Sequence, residues 1–171
     1  MTEPQIEERA EQPYLGIRCE LTDGIRAAVD QAFPQLFGWL GEHGVAPSGP
    51  PFIRYRELND AGEPLVIEAA APVSDLADPP EGAPVQTDVL PAGRYVTLQH
   101  VGPYTHATAP DLVDAQAAMR TWIEREGIVT SRPSERGSAL PCCVEHYRIG
   151  PPMEEDWTKW ETELAYLVVE P

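Results

Sequence analysis

The sequence has few basic residues, no long apolar run and no recognisable leader. It contains 12 lysines and arginines against 28 aspartates and glutamates, which gives a formal net charge of −16. A surface this negative repels phosphate groups, so nucleic acids and anionic membranes are disfavoured as partners. No apolar run reaches about 18 residues, and the first residues, MTEPQIEERAEQ, lack the charged-then-apolar pattern of a signal peptide. We therefore expect a cytoplasmic protein that binds neither nucleic acid nor a membrane.

Catalytic and cofactor motifs are also scarce. The cysteines are Cys19, Cys142 and Cys143, an odd number without a metal-type framework, and adjacent cysteines on a strand face opposite ways. The sequence contains no phosphate-binding glycine loop and no HExxH or GxSxG motif. We expect neither metal nor cofactor. A cysteine nucleophile with a histidine base stays open, because no spacing fixes its geometry.

The composition is that of a folded domain. Hydrophobic residues make up 42% of the chain and charged residues 23%, which is typical of globular proteins. A chain of 171 residues is long enough to bury a hydrophobic core. We expect residues 1–12 to be a flexible acidic arm and residues 13–171 to form a single domain.

The order strand, helix, strand, strand is predicted twice, in residues 13–73 and again in residues 92–171. Alternating or helical spacing of apolar residues predicts strands at 13–21, 49–59, 63–73, 94–102, 142–149 and the end of 158–169, and helices at 24–44 and 112–127. Pro34 interrupts the first helical pattern and predicts a kink or a restart there. The acidic, proline-rich residues 74–91 are predicted to cross over between the two repeats.

Local alignments support a duplication. FGWLGEHGVAPSGPP resembles RTWIEREGIVTSRP, which aligns Trp39 with Trp122, and FIRY resembles VEHY, which aligns Tyr55 with Tyr147. The later strands of the repeats align Glu68 with Glu163. The sequence therefore predicts an α+β fold, in which two pseudo-symmetric strand–helix–strand–strand repeats form a mostly antiparallel sheet around a central groove. Grooves between such halves are common ligand sites.

Two aligned glutamates stand on strands that are otherwise apolar. In TKWETELAYLVV, alternation places Glu163 on one face with Ala165 and Leu167. Glu68 lies in the same way between Val66 and Ala70. Burying an unpaired carboxylate is unfavourable, so each glutamate either meets a cation or donor inside the fold or is a solvated strand end. Alternation leaves both interpretations open.

A third candidate glutamate lies on the strand CCVEHYRI, where Cys143, Glu145 and Tyr147 share one face. Such a face is either solvated or lines a polar, aromatic pocket, and the residues do not decide between these. Tyr55, Tyr104 and Trp160 are candidate walls for a flat lipophilic ligand, although core packing explains aromatic residues equally well. Each ring face beside a cation adds about 0.5–2 kcal/mol.

The ordered segments LPAGRYVTLQHVGPYTHATAPDLVDAQAAMRTWIEREGI, VEHY and WETELAYLVV resemble the GyrI-like small-molecule-binding domains. These are related to the effector-binding domains of multidrug-responsive transcription regulators, and the resemblance runs from about residue 13 to the end. It implies a groove that holds flat aromatic or lipophilic cations against aromatic walls and a glutamate on the closing strand, here Glu163. The E-x-Y pair of the preceding strand corresponds to Glu145 and Tyr147.

The resemblance implies a bacterial multidrug-binding protein with a role in drug resistance. We expect Glu163 to supply the central charge, with Glu145 and Tyr147 beside it, and Glu68 as its pseudo-symmetric mate. The regulators carry a DNA-binding region that has no counterpart here, so a stand-alone monomer or weak dimer is expected. The loop after the E-x-Y strand also departs from the family pattern, at Gly150, Pro151 and Pro152.

Two other functions stay open. Some stand-alone proteins of this kind hydrolyse cyclopropane-containing electrophiles, and in that case Glu163 is the predicted catalytic residue. The acidic surface also suits an inhibitor that contacts the basic surface of a DNA-binding enzyme.

Overall fold

The computed structural model describes residues 2–76, 78–131 and 142–169, which form an eight-stranded antiparallel sheet and two α-helices. The strands are β1 (Gln5–Arg9), β2 (Gln12–Glu20), β3 (Phe52–Leu58), β4 (Pro64–Pro72), β5 (Gln86–Leu90), β6 (Gly93–Val101), β7 (Cys143–Ile149) and β8 (Glu161–Leu167), and the helices are α1 (Ile25–Glu42) and α2 (Leu112–Arg125). A short 3-10 helix (Trp157–Lys159) precedes β8. The predicted α+β fold is confirmed.

The strand order β1-β6-β8-β7-β3-β4-β2-β5 keeps the three strands of each repeat together, and the repeats meet where β7 pairs with β3. Ile53 lies directly opposite Glu145 in that pairing, and these two residues are aligned in FIRY and VEHY. The pseudo-twofold axis therefore passes between Ile53 and Glu145. The matching pairs Arg54–Glu68 and His146–Glu163 confirm the alignment of the two later glutamates.

Both helices pack on the same face of the sheet, which we call the outer face. Ala32, Leu36 and Leu40 of α1 are buried against strand residues of the first repeat, and Ala115, Met119 and Ile123 of α2 against those of the second. These are the apolar stripes that the helical spacing predicts. The side chain of Asp111 accepts a hydrogen bond from the backbone N–H of Asp114 and caps the start of α2.

Of the two outcomes predicted at Pro34, a kink or a restart, the restart does not occur, because α1 is one continuous helix through this residue. A proline inside a helix leaves the carbonyl four residues earlier, that of Asp30, without its N–H partner. Both Pro34 and Asp30 are exposed, so water can satisfy that carbonyl and the helix continues.

The sheet is curled, because β5 lies at one edge and β6 lies next to the other edge, yet only residues 91 and 92 connect them. A connection this short spans at most about 10 Å, whereas a flat sheet would hold these strands about 29 Å apart, at roughly 4.8 Å per strand. The opposite face, which we call the inner face, carries Tyr14, Phe52, Tyr95, Val144 and Ala165, all buried without a helix over them.

Two regions that the sequence predicts to be irregular contain strands. Residues 1–12 are not a loose arm, because β1 pairs with β6 from Gln5–Thr97 to Arg9–Gly93. The last third of the predicted crossover, residues 74–91, forms β5 and pairs with β2. Both strands have five residues and lie at the edges of the sheet. Their partners lie far along the chain, so short local patterns do not reveal them.

An ion pair joins β1 to the inner face. Arg9 Nη1 lies 2.9 Å from Glu163 Oε1, and Arg148 Nη2 lies 2.7 Å from Glu163 Oε2. Burial by itself would raise the pKa of Glu163, but the hydrogen bond and charge of Arg9 and the hydrogen bond of Arg148 bring that pKa below its usual value. Glu163 is thus an ionised carboxylate, and its ion pair with Arg9 links β1 to β8.

We expect Arg9→Ala to lower the free energy of unfolding by about 1–3 kcal/mol at neutral pH, because it removes a hydrogen bond between charged groups. A carboxylate with a lowered pKa contributes stability above its unfolded-state pKa and loses it as the pH falls through the folded-state pKa. The cost of Arg9→Ala should therefore shrink in acid. Urea denaturation at neutral and acidic pH measures both effects.

Arg26→Ala is the matched control for this prediction. It removes an exposed ion pair, in which Arg26 and Asp30 lie 3.7 Å apart, and should change the free energy of unfolding by less than about 0.5 kcal/mol. If Arg9→Ala costs no more than Arg26→Ala, the ion pair does not fasten β1.

Candidate ligand-binding site

Glu145 lies in the middle of β7 on the outer face, next to the pseudo-twofold axis. It is paired with Leu164 of β8 on one side and with Ile53 of β3 on the other. Only 2% of its surface is exposed. Alternation along β7 places Cys143, Glu145 and Tyr147 on one face, as the sequence predicts, and the fold makes that face a buried one.

Three neutral donors hold the carboxylate of Glu145. Tyr55 Oη donates to Oε1 at 2.7 Å and Tyr147 Oη donates to Oε2 at 3.0 Å. The side-chain amide of Gln116, from α2, also donates to Oε1. Tyr55 and Tyr147 are aligned residues, so each repeat supplies one phenol. Among the described residues, no arginine, lysine or histidine forms an ion pair with Glu145.

The environment of Glu145 disfavours its charge. Burial raises the pKa of Glu145, and the hydrogen bonds from Tyr55, Tyr147 and Gln116 offset this only in part. Burial and the nearby charge of Glu145 also raise the pKa of Tyr55 and Tyr147 well above the usual value, and that of Tyr104 to about 12. The phenols therefore stay protonated at neutral pH and act as donors to the carboxylate.

Four aromatic side chains near the carboxylate form a row in which each ring contacts the next, and we call them the aromatic wall: Phe33, Tyr147, Tyr104 and Trp160. The ring of Tyr104 lies 5.4 Å from that of Tyr147 and 4.7 Å from that of Trp160. Phe33, from α1, meets Tyr147 edge to face at 6.2 Å. All four rings are half-buried, so the wall reaches solvent while the carboxylate at its base does not.

The loop after β7 supports this wall. Trp160 Nε1 donates to the backbone carbonyl of Glu154 at 2.7 Å, which fixes the indole ring. Gly150 leaves the space that Tyr104 occupies, because a Cβ atom at this position would lie 2.5 Å from Tyr104 Oη. The absence of a side chain at Gly150 therefore shapes the wall.

Glu145, Tyr147, Tyr55, Tyr104 and Trp160 thus lie together. Their part in ligand binding stays a prediction.

Glu163 is not part of this cluster, and its predicted place beside Glu145 is wrong. It is buried, with 3% of its surface exposed, so it is not a solvated strand end. However, Glu163 is paired with His146 and not with Glu145, and paired residues of antiparallel strands point to the same face. Glu163 therefore lies on the inner face, where two arginines and Gln99 hold it.

Glu68, the predicted pseudo-symmetric mate of Glu163, lies on the inner face as well, away from Glu145. The hydroxyl of Tyr14 donates to its carboxylate, and Arg56 Nε lies 3.7 Å from Oε1. Its side chain belongs to a polar cluster with Arg54 and Asp88 inside the curled sheet. The two aligned glutamates therefore occupy equivalent positions in the two repeats, as predicted.

Sequence reasoning missed the two helical side chains of the site, Phe33 and Gln116. A signal was present: the alignment of Trp39 with Trp122 also aligns Phe33 with Gln116. Both residues face the axis from their own helix. Helical spacing marked Phe33 only as a core residue, and nothing local distinguishes Gln116 from other polar helix residues.

The described residues contain neither a metal-binding cluster nor a helix that could span a membrane. No group of three or more His, Cys, Asp and Glu side chains there is arranged to hold a metal ion. Neither described helix is apolar enough over a sufficient length to cross a membrane.

We expect Gly150→Ala to destabilise the fold by about 1–3 kcal/mol, the usual cost of overpacking, because its Cβ meets Tyr104 Oη. The φ angle of Gly150 is not in the left-handed region, so the backbone itself accepts alanine. Adding Tyr104→Phe removes the clashing oxygen and leaves Cζ, 3.7 Å away, as the nearest atom.

A double-mutant cycle by chemical denaturation should therefore show that Tyr104→Phe restores most of the free energy of unfolding that Gly150→Ala removes. An unchanged cost in the Tyr104→Phe background would contradict the contact.

A family model described as a GyrI-like small molecule binding domain matches residues 2–165. The fold is also similar to the C-terminal domain of EcmrR, with a TM-score of 0.78 and 20% sequence identity over 99% of this chain and 98% of that one. The chain covers 58% of EcmrR in the structure of its complex with DNA, so it spans less than two thirds of that protein.

Two further solved structures share the fold. SAV2435 bound to tetraphenylphosphonium has a TM-score of 0.58 and 14% identity, over 98% of this chain and 94% of that one. A hydrolase from Listeria innocua has a TM-score of 0.60 and 17% identity, over 98% and 92%. No curated protein matches the sequence. Because the family model covers nearly the whole chain, as the resemblance of the segments predicted, the protein belongs to the family of GyrI-like small-molecule-binding domains.

Proposed function

We propose that the protein binds flat aromatic or lipophilic cations at Glu145, between the aromatic wall and the phenols of Tyr55 and Tyr147. The observation that carries this proposal is a buried carboxylate that, among the described residues, is held by neutral donors only. The similar structure of SAV2435 was solved with tetraphenylphosphonium, which is a lipophilic cation. That protein supports the choice of ligand class for this one.

The physical chemistry of the site favours such a ligand. An ionised carboxylate without a cationic partner is unfavourable in a buried position, and a bound cation would relieve that cost. Ring faces of the aromatic wall would add about 0.5–2 kcal/mol each. A small, strongly hydrated cation would lose water that these rings cannot replace, whereas a lipophilic cation gives up little hydration. The site should therefore favour cations whose positive charge is surrounded by apolar groups over small, hydrated cations.

We expect tetraphenylphosphonium to bind the wild-type protein, and Glu145→Gln to weaken that binding by about tenfold or more, which is roughly 1.4 kcal/mol. The amide keeps the shape of the side chain and removes its charge. A fluorescence titration measures the affinity, with Trp160 in the wall as the reporter. Neutral triphenylphosphine oxide should lose much less affinity in the same variant.

Glu163→Gln is the matched control, because it removes the charge of a second buried glutamate on the neighbouring strand. Once circular dichroism shows that the variant is folded, its affinity for the cation should stay close to that of the wild type. A larger loss in Glu163→Gln than in Glu145→Gln would place the charge that binds the cation on the inner face and would contradict the proposal.

Binding should also depend on pH in one direction. A proton and the cation compete for Glu145, so affinity should fall as the pH drops through the pKa of Glu145, which burial raises above its usual value. Below that pKa, each further unit of pH should cost about tenfold in affinity. Titrations across the acid range should show this loss in the wild type and not in Glu145→Gln. A flat profile in the wild type would show that the ionised carboxylate does not hold the ligand.

A hydrolase that acts on a cyclopropane-containing electrophile is the second candidate. The raised pKa of Glu145 favours it, because a carboxylate with a pKa closer to neutral is a better general base toward water. Because Glu163 lies on the inner face and is paired with two arginines, we propose Glu145 instead as the general base. Turnover by the wild type that disappears in Glu145→Gln would support this function, and binding without turnover would reject it.

A further inference from the structure

The two helices beside the site differ in chemistry at aligned positions. The alignment of FGWLGEHG with RTWIEREG pairs Phe37 of α1 with Arg120 of α2, and one turn earlier Phe33 is paired with Gln116. The helix of the first repeat therefore presents two aromatic rings where the helix of the second presents an amide and a guanidinium. The sheet is pseudo-symmetric, but the surroundings of Glu145 are not.

The rings of α1 continue the aromatic wall outward. Phe33 contacts Tyr147 at 6.2 Å, and Phe37 stacks on Phe33 at 6.1 Å with an interplanar angle of 23°. Trp160, Tyr104, Tyr147, Phe33 and Phe37 thus form one unbroken series of ring contacts. The series begins at the site and ends on the surface, where Phe37 is 40% exposed.

No comparable series of aromatic ring contacts runs along α2 among the described residues. Gln116 donates to Glu145, which also accepts from Tyr55, so its amide is engaged at the base of the site. The guanidinium of Arg120 lies near Tyr166, where it partly offsets the burial that raises the pKa of that phenol. The strand partner of Tyr166, Cys143, is itself paired with Tyr55. A cation with an apolar extension would meet a polar side chain and a positive charge in that direction.

We propose that Phe33 and Phe37 form a subsite for an apolar tail, so that the site is selective for elongated amphiphilic cations whose charged head lies at Glu145 and whose tail runs along α1. This inference rests on the proposed function, because it names the shape and orientation of the ligand in the same site. Each methylene group that leaves water contributes to affinity, and the exposed face of Phe37 offers the surface that receives it.

Two phosphonium ions with the same head test the subsite: methyltriphenylphosphonium and decyltriphenylphosphonium. The wild type should prefer the decyl ligand by about tenfold or more, in line with burial of several methylene groups. Phe37→Ala should reduce that preference by about threefold or more and leave the affinity for the methyl ligand unchanged. Alanine is a strong helix former and Phe37 is partly exposed, so the variant should fold. Phe37→Leu, which keeps an apolar side chain, should retain part of the preference.

Two control variants complete the experiment. Arg120→Ala changes the aligned position on α2, and Val113→Ala shortens a side chain on α2 that is 54% exposed and lies outside the series of ring contacts. Neither should lower the preference for the decyl ligand.

The outcomes separate the subsite from the proposed function. A preference that is lost in Phe37→Ala and kept in both controls supports the subsite. A preference that is unchanged in Phe37→Ala, or lost equally in Val113→Ala, overturns the subsite while the binding of cations at Glu145 stands. Failure of both ligands to bind the wild type overturns the proposed function and the subsite together.

Discussion

The site depends on one constraint: the carboxylate of Glu145 is buried where the two repeats meet, at the pairing of β7 with β3. Glu145 lies opposite its aligned residue Ile53, so both repeats contribute to its surroundings. Each supplies a tyrosine that donates to one carboxylate oxygen, and α2 adds an amide. These donors are neutral, so they orient the carboxylate and supply no positive charge to it.

The inner face also buries carboxylates, but there they are paired with arginines of the same chain. Glu163 is buried to a similar extent, yet arginines from β1 and β7 pair with it, and Glu68 meets Tyr14 and Arg56. A buried charge that is paired within the chain already has its counter-charge, and removing that partner is strongly destabilising. A buried carboxylate held by neutral donors has no counter-charge from those donors, and a cation that reaches it would relieve the cost of its burial. Pairing, rather than burial or position in the repeat, therefore separates the structural glutamates from the candidate functional one.

Duplication and divergence play distinct parts in the site. The shared pattern of strands places the axis and the paired tyrosines, which need the two halves to match, whereas Glu145 faces its aligned residue Ile53 across that axis. The parts that differ between the halves, namely the loops around Tyr104 and Gly150 and the facing positions of the helices, give the site one aromatic side and one polar side. If the site binds the proposed ligand, this asymmetry gives the two ends of that ligand different surroundings.

The sequence by itself determined the helices, the six longer strands, the repeat, the family and the shared face of Glu145 and Tyr147, because these follow from spacing within a few residues or from local likeness. Only the tertiary structure decided which glutamate faces the helices. The pairing of His146 with Glu163 puts Glu145 and Glu163 on opposite faces, and a shift of one residue would have reversed this. The same holds for β1 and β5, for the arginines on Glu163, and for Phe33 and Gln116 at the site. Each depends on contacts between residues far apart in the chain, and local periodicity carries no information about such contacts.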